Sequence, residues 1–258
     1  MIHVHPVPAF SDNYLWVVHD GHHAAVVDPG DAQPILDYLA ANHLTLTAIL
    51  CTHHHADHVG GVESLLEGRQ LRGCIPVYGP ANERIPARTH ALREGDRISL
   101  PELALNFAVL DVPGHTAGHI AYLGHDLLFC GDTLFACGCG RLFEGTAVQM
   151  TGSLAKLKRL PGQTKVFCAH EYTMANIKFS EAVEPDNADL KLRKAYCAAK
   201  RRRNEPTVPS TIALERATNP FLRWDAEAVI ATTEKRVGHA LKADDEIFAV
   251  IREWKNIF

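Results

Sequence analysis

Short apolar, β-branched runs alternate with stretches of helical spacing through the first part of the chain. YLWVV at 14–18, AAVVD at 24–28 and LTAILC at 46–51 are strand signals, each closed by turn-forming or polar residues. Between the last two, AQPILDYLAANH places Ile35, Leu36, Leu39 and Ala40 at helical spacing, and Val59 to Leu66 reads as another helix. Strand, helix, strand, helix predicts an α/β layer architecture. Further strands are expected at 75–78, 104–111, 119–123, 127–130 and 165–169. Beyond His170 the texture changes: 173–183, 187–203, 225–235 and 243–256 read as helices, broken by NEPTVPS and TNP, whose prolines cannot continue a helix. The expected organisation is an α/β domain over 1–171 and a helical domain over 172–258.

Composition narrows the class. At 258 residues with 47% hydrophobic and 22% charged positions, the chain has ordinary globular values. No apolar run reaches the roughly 18 residues of a transmembrane helix, so no membrane partner is expected. Lysine plus arginine count 26 and aspartate plus glutamate 30, a net charge of −4 that provides no general field for nucleic acid. The opening MIHVHPVPAFSDNY lacks a basic segment followed by a long apolar core, and a cytoplasmic monomer is the expectation. Seven cysteines, at 51, 74, 130, 137, 139, 168 and 197, are odd in number and contain no CxxC pair, so they read as reduced thiols. The unusual count is 16 histidines, grouped rather than scattered.

The densest group, CTHHHADHVGG, begins where the strand LTAILC ends. His53 and His55, two apart in extended chain, lie on one side at about 6.6 Å, close enough to converge on one ion. Asp57 and His58 fall where the chain turns into a helix and aim toward a second ion, while His54 points away. Three more donors follow apolar runs: His115 in VPGHTAGH, Asp132 in LLFCGDTLF and His170 in VFCAHEYT. The inventory gives three nitrogens to one site (His53, His55, His115), a carboxylate and two nitrogens to the other (Asp57, His58, His170), and leaves Asp132 to bridge. Such a set fits a two-metal centre with open positions for water and substrate. Imidazole with carboxylate suits zinc first, and iron or manganese as well.

THHHADH, PGHTAGH, GDTLF and AHEYT together resemble the metallo-β-lactamase superfamily, whose fold is a four-layer αβ/βα sandwich. CGCGRLFEGT, AHEYTMANIKF, NEPTVPST and NPFLR extend the resemblance to the hydroxyacylglutathione hydrolases, the glyoxalase II family, which carry a C-terminal helical domain. That resemblance implies a thioester hydrolase converting S-D-lactoylglutathione, a 2-hydroxyacylglutathione, to D-lactate and glutathione, the second step of methylglyoxal detoxification. It implies two divalent ions on the seven donors above, Asp57 and Asp132 acting with a metal-bridging hydroxide as nucleophile. It places glutathione on Arg141, Phe143, Tyr172, Arg252 and Lys255. Many relatives carry tyrosine where this chain has Phe143, and lysine where it has Arg141.

The chemistry agrees with that implication. Metal lowers the pKa of bound water toward about 7, and a thiol with a pKa of about 8.5 leaves as thiolate without a strong general acid. Other features read as structural. Asp28 in VVDPG ends a strand at a proline turn, Cys137 and Cys139 have no zinc-site spacing, and KRRR at 200–203 closes a helix where cations meet the dipole. Rival readings are a mononuclear iron dioxygenase of the same superfamily, which needs fewer ligands, a nuclease, which needs a phosphate-binding surface, and a non-catalytic nucleic-acid-binding module, which leaves the histidines unexplained.

Overall fold

A computed structural model of the chain describes residues 1–67 and 75–258. Cys74 lies outside the described residues. The chain divides into two compact units, one formed by Met1–Asp111 with Thr116–Gly131, the other by Val112–His115 with Asp132–Phe258. The change of sequence texture near 171 and the division by compactness therefore fall at different places.

The first unit opens with strands β1 (His3–Ala9), β2 (Asn13–His19) and β3 (His23–Val27), then helix α1 (Ala32–Ala41) and strand β4 (Thr45–Leu50). Two short helices, α2 (Ala56–Val59) and α3 (Val62–Glu67), precede β5 (Val77–Pro80) and β6 (His90–Leu92). These six strands form one sheet in sequence order, antiparallel from β1 to β3 and parallel from β3 to β6. A meander of β7 (Arg97–Leu100), β8 (Leu105–Asp111), β9 (Ile120–Gly124) and β10 (Leu127–Gly131) forms an antiparallel set.

Strand β1 was not legible as a strand because Pro6 and Pro8 interrupt it. Both are tolerated because β1 is the edge of its sheet, where a missing N–H forfeits no ladder bond. The helix expected over Val59–Leu66 is broken in two at Gly60-Gly61. A Cβ on Gly61 would stand 2.6 Å from the Ala32 nitrogen, so the chain passes too close to the start of α1 for any larger residue.

One apolar cluster joins α1 (Ile35, Leu39) and α3 (Val62, Leu65) to Val17, Val26, Leu46, Ile49 and Val77 of the sheet. A full burial of this kind is worth about 1.5–3 kcal/mol per side chain. Leu46 and Ile49 share that face despite unlike parity because the β3–β4 register shifts at Ala24/Ala25, and Thr47 is taken up there with its hydroxyl donating to the Ala24 carbonyl at 3.1 Å. Beyond the bulge Ile49 and Cys51 both join the buried cluster.

The second unit contains the ribbon β11 (Leu134–Phe135) and β12 (Gly138–Cys139), helix α4 (Ala147–Lys158), and the antiparallel pair β13 (Lys165–Cys168) and β14 (Ser210–Thr211). Helices α5 (Thr173–Val183), α6 (Ala188–Arg202), α7 (Ile212–Thr218), α8 (Glu227–Val237) and α9 (Asp244–Ile257) complete it. The four helices expected after His170 are therefore present, with α7 added. Helix α4 was unexpected although its start carries a readable signal, the capping box in which Thr146 and Gln149 bond reciprocally.

Candidate metal centre

In the first unit the donors gather past the ends of the parallel neighbours β3 and β4. Asp28 follows β3 in a left-handed backbone conformation (φ 52°), which aspartate tolerates better than most residues. Its amide donates to the Leu50 carbonyl at 2.9 Å, which brings its carboxylate beside Thr52. Oδ1 accepts from the Thr52 amide at 2.7 Å and Oδ2 from the Thr52 hydroxyl at 2.8 Å. Oδ2 also lies 3.1 Å from Nδ1 of the fully buried His58. A carboxylate behind an imidazole fixes the tautomer with Nδ1 as donor and leaves Nε2 as the ligating atom. Asp28, for which turn duty was favoured over support of a neighbouring ligand, stands against His58.

The other candidate donors of this unit lie close together in pairs. His53 Nε2 and His55 Nδ1 stand 3.2 Å apart, as their same-side placement requires. His58 Nε2 lies 3.5 Å from Asp57 Oδ2, and that carboxylate oxygen accepts from the Asn13 side-chain amide at 3.0 Å. His54 turns aside, with Nδ1 2.9 Å from Glu83 Oε2, while the other oxygen of Glu83 accepts from the Gly118 amide at 2.9 Å. His119, the second histidine of PGHTAGH, is fully buried and stacks on His53 with ring centroids 4.6 Å apart. Sequence reasoning missed Asn13, Glu83 and His119. Only the last carried a visible signal, its place inside a motif already singled out. A glycine is required at position 30, because a Cβ there would fall on the Asp57 carbonyl.

In the second unit Asp132 stands between two imidazoles. Its Oδ2 is 3.4 Å from His115 Nε2 and its Oδ1 3.4 Å from His170 Nε2. The Nδ1 of His115 lies 2.9 Å from the Arg141 carbonyl oxygen and so donates to it, which again reserves Nε2 for a ligand. His170 stacks on Tyr172, centroids 4.7 Å apart with the ring planes nearly parallel at 4°, and meets Phe135 edge-on. Gly140 is forced, since a Cβ would strike the Asp132 carbonyl and come within 3.1 Å of His115 Nδ1.

These separations suit metal binding. Ligands about 2.1 Å from a tetrahedral ion lie about 3.4 Å from one another, and the four pairs here are 3.2, 3.5, 3.4 and 3.4 Å apart. The donors are imidazole and carboxylate with no thiolate among them, and three of the imidazoles, His53, His58 and His115, have the opposite nitrogen engaged by an oxygen. The residues fit the divalent ions expected of them.

The candidate substrate residues are distributed unevenly. Phe143 is exposed and edge-on to His115 at 5.3 Å, Tyr172 is partly exposed beside His170, and Arg141 is exposed. Arg252 is only 6% exposed and donates from Nη1 to the Cys139 carbonyl at 2.9 Å, its guanidinium over the Phe221 ring. It was expected as a cation free to grip an anion, and one arm of its fork instead holds backbone. Lys255, three residues on in α9, has its ammonium 5.3 Å from the Phe179 ring centroid. Burial and then the neighbouring Arg252 push its pKa down.

Residues 9–170 match the family model described as the metallo-beta-lactamase superfamily, and residues 171–258 match the hydroxyacylglutathione hydrolase C-terminus. Among solved structures, ETHE1 from Myxococcus xanthus is 26% identical with a TM-score of 0.64, covering 100% of this chain and 99% of that one. TTHA1623 in a di-iron-bound form is 27% identical with a TM-score of 0.59, covering 84% of this chain and 100% of that one. The chain is thus a metallo-β-lactamase-fold protein with a helical C-terminal region. A curated relative from Nitrosomonas eutropha, a hydroxyacylglutathione hydrolase, is 55% identical over 258 residues, covering 100% of both chains. With both family models matched in order along its length, the chain belongs to the hydroxyacylglutathione hydrolase family, a family of hydrolases.

Proposed function

We propose that the chain hydrolyses S-D-lactoylglutathione and related 2-hydroxyacylglutathiones to the hydroxy acid and glutathione, using two divalent metal ions. The observation that carries this reading is the disposition of Asp132 between His115 and His170, one carboxylate presenting an oxygen to each of two ligand imidazoles. His53, His55 and His115 would hold one ion, Asp57, His58 and His170 the other, and Asp132 would serve both. When bound, such a pair supplies a water ionised near neutral pH and a Lewis acid for the thioester carbonyl. Zinc, iron and manganese all suit these donors.

The chain's own residues do the rest. Asp28 and the Arg141 carbonyl hold His58 and His115 in the ligating tautomer. Arg141 and Lys255 take the glutathione carboxylates, arginine in bidentate fashion, with Arg252 beside them. Tyr172 and Phe143 provide aromatic walls next to His170 and His115. Phe143 offers no hydroxyl, so its contact with the peptide is apolar. Among the described residues no cysteine serves as nucleophile. Burial raises the Cys137 and Cys168 thiols to about 12 and Cys139 to about 11, and all six described cysteines are buried.

The same reading divides the chain by role into a catalytic part over 1–171 and a substrate-binding helical part over 172–258. Among the described residues no helix is long and apolar enough to cross a membrane. A cytoplasmic, monomeric enzyme acting on a small molecule, without nucleic-acid or membrane partners, completes the proposal. The experiment is elemental analysis of the purified protein together with a hydrolysis assay on lactoylglutathione. Close to two ions per chain and glutathione release are expected. One ion with no thioester hydrolysis would favour the mononuclear dioxygenase reading instead.

A further inference from the structure

Between Asp132 and Arg141 the chain makes the short ribbon β11–β12, and its backbone is held in an unusual way. The Phe135 carbonyl accepts from the Asn219 side-chain amide at 3.1 Å, the Ala136 carbonyl from Asn176 at 3.1 Å and the Cys137 carbonyl from the Ser180 hydroxyl at 3.2 Å. The Gly138 carbonyl accepts from Asn219 at 2.9 Å and the Cys139 carbonyl from Arg252 at 2.9 Å. Five consecutive carbonyls are each satisfied by a side chain from 176–252. The Cys137 amide donates to Glu215 Oε2 at 2.9 Å, and Cys137 itself sits in the left-handed region at φ 55°.

Asn219 and Ser180 are fully buried and Asn176 nearly so. A buried amide is costly unless its bonds are made, and Asn219 makes them on both ends. Its amide nitrogen also reaches Glu215 Oε2 at 3.0 Å, and its Oδ1 accepts from the Phe221 amide at 3.0 Å. Glu215 is anchored in turn by the buried Arg193 at 2.5 Å. The held ribbon leads straight to the ligands. The Gly140 amide closes it by donating to the Thr133 carbonyl at 3.2 Å, next to Asp132, and the following Arg141 carbonyl fixes the His115 tautomer.

We propose that Asn176, Ser180 and Asn219 are positioning residues for the reaction: by fixing the Phe135–Cys139 backbone they set the place of Asp132, the orientation of His115 and the reach of Arg141. This rests on the binuclear reading given above. The helical region then acts on the metal ligands as well as on the substrate. A purely architectural role would lower stability and leave the ligands alone.

The test compares Asn219→Ala, Asn176→Ala and the milder Ser180→Ala with Asn187→Ala. Asn187 is a matched control: it bonds the Ala217 carbonyl at 2.9 Å and accepts from the Leu190 amide at 3.0 Å, touching nothing in the ribbon. Three readouts are taken on the full-length purified chain: amide hydrogen exchange in a peptide spanning 133–143, the rate of zinc release to a chromophoric chelator, and kcat on a glutathione thioester and on a small alkyl thioester. Asn219→Ala is expected to speed exchange of that peptide at least about tenfold, to speed zinc release about 10–100-fold, the range for outer-shell partners, and to lower kcat on both thioesters. Asn187→Ala is expected to lose thermal stability with all three readouts near wild type. Should Asn219→Ala fail to fold, Asn176→Ala and Ser180→Ala carry the same signs at smaller size. Zinc release and kcat unchanged in folded variants, or changed equally by Asn187→Ala, would overturn the proposal while the binuclear reading stands. A wild-type chain that binds none of zinc, iron and manganese would overturn the binuclear reading, and the proposal with it.

Discussion

In the first unit, imidazoles and carboxylates are oriented by other side chains close to the same strand ends. Asp28 braces His58, Thr52 fastens Asp28 and Asn13 holds Asp57. In the second unit the corresponding task falls to backbone carbonyls, the Arg141 oxygen on His115 and the five carbonyls of Phe135–Cys139 on their amide, hydroxyl and guanidinium donors. A side-chain brace can be deleted one residue at a time. A backbone brace cannot, and only its distant partners are open to substitution. The two arrangements should therefore respond differently to mutation.

The largest effect should come from Asp132→Ala, which removes the carboxylate facing two imidazoles. Metal content should drop and hydrolysis should fall more than about 100-fold, beyond the range for an outer-shell partner. Elemental analysis beside kinetics decides it, and a folded, fully loaded variant with normal turnover would sink the two-ion reading.

Asp28→Asn tests the side-chain brace of the first unit. Asparagine tolerates the left-handed backbone, so the fold should survive, while the support behind His58 loses its charge. Metal affinity and kcat should fall about 10–100-fold, with near-UV circular dichroism unchanged. If affinity holds, the carboxylate is serving the turn alone.

Arg252 and Lys255 separate backbone bracing from substrate binding. Lys255→Ala should raise KM for a glutathione thioester several-fold with kcat within a few-fold, since it weakens ground and transition states alike. Arg252→Ala should share that KM effect and also destabilise the fold by about 1–3 kcal/mol, because the buried Cys139 carbonyl loses its donor. Small thioesters lacking the peptide should be indifferent to Lys255→Ala. A collapse of kcat at unchanged KM would show that the lysine shapes the metal ligands instead.

The smallest effect is one of pH. Thiols whose pKa is raised in the folded state add stability that is complete below the ordinary thiol value of 9.0 and is lost as pH climbs toward 11 and 12, where Cys139, Cys137 and Cys168 would ionise. Urea unfolding midpoints should fall steadily across that window. Alkylation of the native protein at pH 8 should label none of the six described cysteines, and rapid labelling of Cys137 or Cys139 would show that the ribbon opens.

The residue order by itself marked the candidate donors. Strand-end motifs such as CTHHHADH place donors by local backbone periodicity, and periodicity is written in residue order. That is why the facing of His53 with His55 and the turning aside of His54 could be read before any coordinates. The edge strand with its prolines, the split at Gly60-Gly61 and the bulge at Thr47 were not readable, because each depends on which neighbour the chain meets. The same holds for the braces. Asp28 and Thr52 lie 24 positions apart, Asn219 and Phe135 84, and Arg252 and Cys139 113, and no local pattern marks such pairs. A side chain's chemistry is fixed by its own identity. The bond it makes is fixed by the partner that folding brings within reach, and only tertiary structure could show that Arg252 spends one arm on a carbonyl and that Asp28 stands behind His58.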